Sequence, residues 1–250
     1  VDAPRDRLPS DAKVIALAAL VAVSGISILA VREWRLTAWY PVKASGLFFA
    51  IMSIALARLR QHHPYARFGA ANQLTTVRAA FGALLAGLIG EAASDIPVAT
   101  AAAVGLVVLT MDGLDGWLAR RTMMASAFGA RFDVEVDALL IQTLAILAWQ
   151  EGKAGPWIVL SGLLRYGFLA ATWLLPWMQR PLTPTSRARI ICVAQTAALV
   201  VVLAPGMTPP LSSTIAAFAL ATLCYSFLVD TMRLWRQSSD EEPATARQAG

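Results

Sequence analysis

Apolar stretches recurring along the whole chain constrain it more than any other feature. They cover residues 13–31, 41–57, 72–90, 97–120, 129–149, 157–177, 188–203 and 211–234. A helix needs about 17–25 mainly apolar residues to cross a hydrocarbon core of about 30 Å, and every stretch reaches that length except 188–203, which falls one residue short. In lipid, helices satisfy their own backbone hydrogen bonds, so the expected fold is all-α, a polytopic membrane helix bundle. Composition agrees: 57% of residues are hydrophobic and 15% charged, against about a quarter charged in soluble domains. The first stretch follows Arg5, Arg7 and Lys13. Its length, without a clear small-residue cleavage site, predicts a retained anchor rather than a signal peptide. Cys192 and Cys224 fall inside predicted spans, where a thiol behaves as a small apolar group and no disulfide framework or zinc site follows.

The loops predict an orientation. If the span from Asn72 starts on the cytoplasmic side, the inner connections carry Arg58, Arg60, Arg67, Arg120, Arg121, Arg131, Arg180, Arg187, Arg189, Arg233, Arg236 and Arg247, whereas the outer ones carry Lys153 alone. Basic residues collect on the cytoplasmic side, which fixes the last six spans. The first two fit less well, because Arg32, Arg35 and Lys43 would then face outward. An alternative lays residues 32–43 in the interface, with Trp34, Trp39 and Tyr40 at headgroup level. The link containing Arg58, Arg60, His62, His63, Tyr65 and Arg67 reads as cationic flanking near an anionic leaflet. The organisation expected is an N-terminal segment over 1–71 with two membrane helices, a six-helix core over 72–236 and a polar, disordered tail over 237–250.

Four acids sit where acids are expensive. Asp112 and Asp115 lie near the inner end of one span, and Asp133 and Asp137 at the start of the next. A carboxylate at membrane depth is paired, coordinated or faces a hydrated cavity. The spacings i, i+3 and i, i+4 put each pair on one face of its helix. A short inner loop makes the two helices antiparallel neighbours whose acidic faces can meet. Converging carboxylates repel unless some take protons or divalent cations neutralise them, and hard oxygen ligands suit Mg²⁺ or Mn²⁺.

Asp112, Asp115, Gly116, Ala119, Arg120, Gly129, Asp133 and Asp137 form D-x-x-D-G-x-x-A-R, eight residues, then G-x-x-x-D-x-x-x-D; upstream stands N-x-L-T-x-x-R from Asn72 to Arg78. The pattern resembles the signature of the CDP-alcohol phosphotransferase family across the six spans from Asn72 onward. The resemblance implies an integral membrane enzyme that transfers a phosphatidyl group from CDP-diacylglycerol to an alcohol with release of CMP, in phospholipid synthesis. It implies Asp112, Asp115, Asp133 and Asp137 as ligands of two Mg²⁺ or Mn²⁺ ions, with Asp137 also the base for the acceptor hydroxyl. Asn72, Thr75, Arg78, Gly116, Ala119, Arg120 and Gly129 are then expected to hold the CDP donor. A homodimer in a bacterial inner membrane, with the site toward the cytoplasm, is expected too, and no nucleic-acid partner.

The acceptor is less constrained. Arg165, Arg187 and Arg189 are candidate acceptor residues, and three cations suit a phosphorylated acceptor such as glycerol 3-phosphate or inositol phosphate. Two rivals remain at this level: transfer from a soluble CDP-alcohol to a lipid hydroxyl, and a divalent cation transporter. A transporter path calls for polar or broken-helix features across the bilayer, whereas all four aspartates cluster near one face. Glu135 points away from the Asp133 and Asp137 face and is left out.

Overall fold

A computed structural model describes residues 7–62, 65, 67–91, 95–121, 124, 126–179 and 185–246; side chains are described for these except 7–9, 60–62, 95–97, 115–120 and 238–246. The described residues form eight α-helices: α1 Arg7–Trp34, α2 Trp39–His62, α3 Ala70–Gly87, α4 Asp95–Arg121, α5 Ala127–Gln150, α6 Leu160–Leu174, α7 Ser186–Leu203 and α8 Leu211–Ala246. Each predicted apolar stretch corresponds to one helix. Five helical segments are long and apolar enough to cross a membrane, namely Ser10–Trp34, Trp39–Leu59, Pro156–Leu174, Ser186–Leu203 and Leu211–Gln237. This is an all-helical integral membrane protein. Helices α3, α4 and α5 carry the site polar groups and lie in the middle: α3 packs on α1, α2, α4 and α5, while α7 packs on α4, α5 and α8.

Several helix ends follow from proline. Pro41 and Pro97 fall in the first turns of α2 and α4, where a missing N–H costs little. Short 3₁₀ turns over Pro156–Val159 and Pro176–Gln179 flank α6. The predicted span 157–177 is therefore interrupted near its end. Leu175, before Pro176, is extended at φ −118° and ψ 103°, as the clash with a following proline ring requires. At the far terminus, α8 continues to Ala246, over residues 237–246 where polarity predicts disorder. Extending a formed helix avoids the nucleation cost that a free polar segment faces.

Gly129 near the start of α5 adjoins Asn72 near the start of α3, and Gln150 at the end of α5 bonds Gly90 and Leu88 just beyond the end of α3. Helices α3 and α5 thus run parallel. The end holding their N-termini is closed by Phe68, Phe128 and Phe132, with ring centroids 6.3 and 5.8 Å apart.

The opposite end holds the α1–α2 connection, where residues 32–43 form the end of α1, a short link and the start of α2. Tyr40 is 2% exposed and donates its hydroxyl to the Leu84 carbonyl at 3.1 Å. Lys43 pairs with Glu91 at 2.6 Å and donates to the Ile89 carbonyl at 2.9 Å. The other lysine at this end, Lys153, donates to the Met207 carbonyl at 2.7 Å. Two of the cations that run against a simple charge rule, Lys43 and Lys153, thus have local partners, Lys43 including a carbonyl left over at a helix C-terminus.

Candidate active site

Arg78 is the centre of the site. It lies in the middle of α3 on the face shared with Asn72 and Thr75, all three buried. Its guanidinium is 1% exposed and meets three carboxylates: Asp112 of α4 at 2.9 Å, Asp133 of α5 at 2.5 Å, and Asp137 of α5. The i, i+4 spacing puts Asp133 and Asp137 on one face of α5, as predicted, but α4 and α5 are not the closely packed neighbours the short loop suggests: among the described residues each packs on α3 and α7, and Asp112 meets the α5 pair across Arg78. Asp112, Asp133 and Asp137 each offer an oxygen, and these oxygens all lie within 4.8 Å of one another. Such an all-carboxylate set fits a hard divalent cation rather than a thiophilic one. Asp115, Gly116, Ala119 and Arg120 lie on α4, and their side chains fall outside the described ones.

The upstream residues brace this cluster. Asn72 is 5% exposed and donates its amide to the Phe68 carbonyl at 2.5 Å. Thr75, at 2%, donates to the Ala71 carbonyl at 3.1 Å. Gly69 precedes α3 at φ +82°, a backbone region that suits glycine. Ser126 caps α5, accepting the Gly129 N–H at 3.0 Å.

A Cβ on Gly129 would sit 2.7 Å from Asn72 Oδ1 and 3.3 Å from Ser126 Oγ. Gly129 therefore lets the starts of α5 and α3 touch. Gly129→Ala is expected to cost about 1–3 kcal/mol through overpacking, measured as a lower unfolding temperature in detergent. Adding Asn72→Ala should restore part of that loss, because the obstructing amide is gone.

Beside the aspartates lies a small recess lined by Arg78, Asp112, Asp137, Leu140, Cys192 and Thr196, with Val108, Leu109 and Val193 completing an apolar wall. Cys192 was expected only as apolar filling, and Thr196 was not singled out. The signal was present in the sequence: Arg189, Cys192 and Thr196 are spaced i, i+3, i+7 and share one face of α7.

The three candidate acceptor arginines separate. Arg165 pairs with Glu135 at 2.8 Å, joining α6 to α5. Glu135 does point away from the aspartate cluster, and Arg165 is what it points toward. Arg187 pairs with Asp230 at 2.5 Å and donates to the Ser226 carbonyl at 3.3 Å, joining α7 to α8. Arg189 is exposed and shares the α7 face of Cys192 and Thr196, which line the recess beside the carboxylates.

Comparison with the curated proteins finds no match, nor does comparison with the solved structures. A family model described as CDP-alcohol phosphatidyltransferase matches residues 68–229. That match begins just before α3 and takes in Arg78, the converging aspartates and the recess beside them, so the chain belongs to the CDP-alcohol phosphatidyltransferase family.

Proposed function

We propose that the protein transfers a phosphatidyl group from CDP-diacylglycerol to the hydroxyl of an alcohol acceptor, releasing CMP. The observation that carries this reading is the convergence of Asp112, Asp133 and Asp137 from α4 and α5 onto one point beside an apolar recess. A donor with a charged head and lipid tails needs that combination, which explains why a phosphotransfer site is built among membrane helices.

In the reaction, the acceptor oxygen attacks the phosphorus that carries the diacylglycerol. The new oxygen–phosphorus bond forms as the bond to the CMP oxygen breaks, and CMP leaves with that electron pair. Asp137 takes the acceptor proton, a general-base role that requires approach to about 3 Å. Asp112, Asp115, Asp133 and Asp137 would hold two Mg²⁺ or Mn²⁺ ions, which when bound supply positive charge against the transferring and leaving oxygens. Gly116, Ala119 and Arg120 contribute to the donor site, with the planar fork of Arg120 suited to phosphate. Asn72, Thr75 and Gly129 shape it by holding the starts of α3 and α5 together.

Arg189 is the acceptor residue in this reading, because Arg165 and Arg187 are already committed to Glu135 and Asp230. The arginine-rich loops at the aspartate end support a cytoplasm-facing site, and a homodimer in a bacterial inner membrane is part of the same reading.

The test is CMP release by purified protein in detergent with CDP-diacylglycerol and Mg²⁺, offering glycerol 3-phosphate, inositol phosphate, inositol, serine and choline singly. Acceptor-dependent CMP is expected with one of them. For a phosphorylated acceptor, Arg189→Ala should raise its KM about tenfold or more, the size of a lost hydrogen bond to a charged group. Arg165→Ala and Arg187→Ala should lower stability and leave that KM in place. No CMP with any acceptor, from protein that binds the donor, would transfer the reading to a soluble CDP-alcohol and a lipid hydroxyl.

A further inference from the structure

We infer that Arg78 is a built-in competitor for the cation site, a positioning residue that keeps divalent-ion affinity low rather than a residue that grips the donor. This inference rests on the reading of Asp112, Asp133 and Asp137 as cation ligands.

The N-x-L-T-x-x-R motif places Arg78 with the donor-binding residues, but the geometry points elsewhere. Its guanidinium contacts Asp112, Asp133 and Asp137 together, the same carboxylates whose oxygens converge within 4.8 Å. At 1% exposure and with α3 packed on four other helices, it is enclosed by protein on the side away from the carboxylates. Arginine also stays protonated in proteins. The site therefore contains a buried positive charge that does not titrate away.

Two consequences follow from that charge. Three carboxylates and one guanidinium sum to two negative charges, which one divalent ion neutralises; a second ion requires further negative charge, from Asp115 or from the donor's pyrophosphate. The guanidinium also repels any incoming cation at short range, where the interaction is weakly screened. Metal binding and donor binding are thereby coupled, since the donor brings the anions that offset Arg78. The aspartates remain gathered in the absence of donor, held by one planar group that reaches both α4 and α5.

The experiment is Mn²⁺ binding to purified protein in detergent, followed by electron paramagnetic resonance at fixed pH without nucleotide, with folding checked by thermal unfolding. Wild type should bind weakly. Arg78→Met should bind Mn²⁺ about tenfold more tightly, by removing a repelling charge at contact distance, while losing turnover. Arg78→Lys, which keeps a charge but not the three-way fork, should gain about threefold, and it carries the test if the methionine variant does not fold. Unchanged Mn²⁺ affinity in the folded variants, with a higher KM for CDP-diacylglycerol, would return Arg78 to donor binding and overturn the inference. Weaker Mn²⁺ binding would overturn it as well, by making the arginine an organiser whose loss scatters the ligands. Asp133→Asn separates the two levels: if it binds Mn²⁺ as wild type does, the ligand reading itself is wrong, whatever the arginine variants show.

Discussion

Asp137→Asn is expected to lower acceptor-dependent CMP release by about 10³-fold, within the range that a lost general base gives, with the folded state retained. Asparagine keeps the shape of the side chain and an oxygen that can accept from Arg78, so the substitution removes the capacity to take a proton and one negative charge. Arg78 still meets Asp112 and Asp133, so no buried cation is left without an anion. Steady-state CMP release beside thermal unfolding distinguishes loss of chemistry from loss of structure. Asp230→Asn is the matched control: it too removes an acid paired with an arginine, but at the α7–α8 junction. It should cost stability with kcat close to wild type. An Asp137→Asn enzyme within about tenfold of wild type would mean that another group takes the proton.

The contrast between Asp137 and Asp230 also marks what local sequence could reveal. Asp137 sits in a repeated spacing with Asp133, and helical periodicity alone puts the two on one face. Asp230 sits alone in an apolar stretch, and its partner Arg187 is 43 residues away. Nothing in local periodicity selects that pairing. Arg165 and Glu135 have the same relation across 30 residues, so local sequence gives no sign that two of the three candidate arginines pair with acids on neighbouring helices. Arg78 is the sharpest case. Its motif spacing located it beside the site, but its partners stand 55 and 59 residues further on, and only the parallel placement of α3 and α5 brings them to it. The helices themselves were legible because length and apolarity are local properties. Departures came where backbone chemistry intervened, at Pro176 and in the extension of α8.

Glu91 lies just past the end of α3, where no local pattern marks it, and its replacement should produce the largest stability loss outside the site. Glu91 is 6% exposed. It accepts the Thr37 N–H at 2.8 Å, the Thr37 hydroxyl at 2.9 Å and the Lys43 ammonium at 2.6 Å. Burial pushes its pKa upward, but the bonds from Lys43 and Thr37 outweigh it, and the carboxyl is held below its ordinary value. Glu91→Ala is expected to cost about 2–3 kcal/mol, the range for hydrogen bonds to a charged group. This figure is discounted from a fully buried pair because Lys43 is 35% exposed. In a chain of this size the unfolding temperature should fall by roughly 5–10 °C. Lys43→Met added to Glu91→Ala should cost less than the sum of the two, since each single change strands the other's charge. The pH dependence has a definite sign. A depressed carboxyl pKa contributes stability that is fully present above the unfolded value of 4.5 and is lost as pH falls through the lower folded value. Wild type should therefore lose stability from about pH 4.5 downward more steeply than Glu91→Gln, which has no proton to gain. Equal acid profiles would remove the ion pair from the account of how α1 and α2 are held. A large loss of stability with turnover of the folded fraction intact would show instead that the clamp joins the N-terminal helices to α3 without setting the position of Arg78 in the middle of that helix.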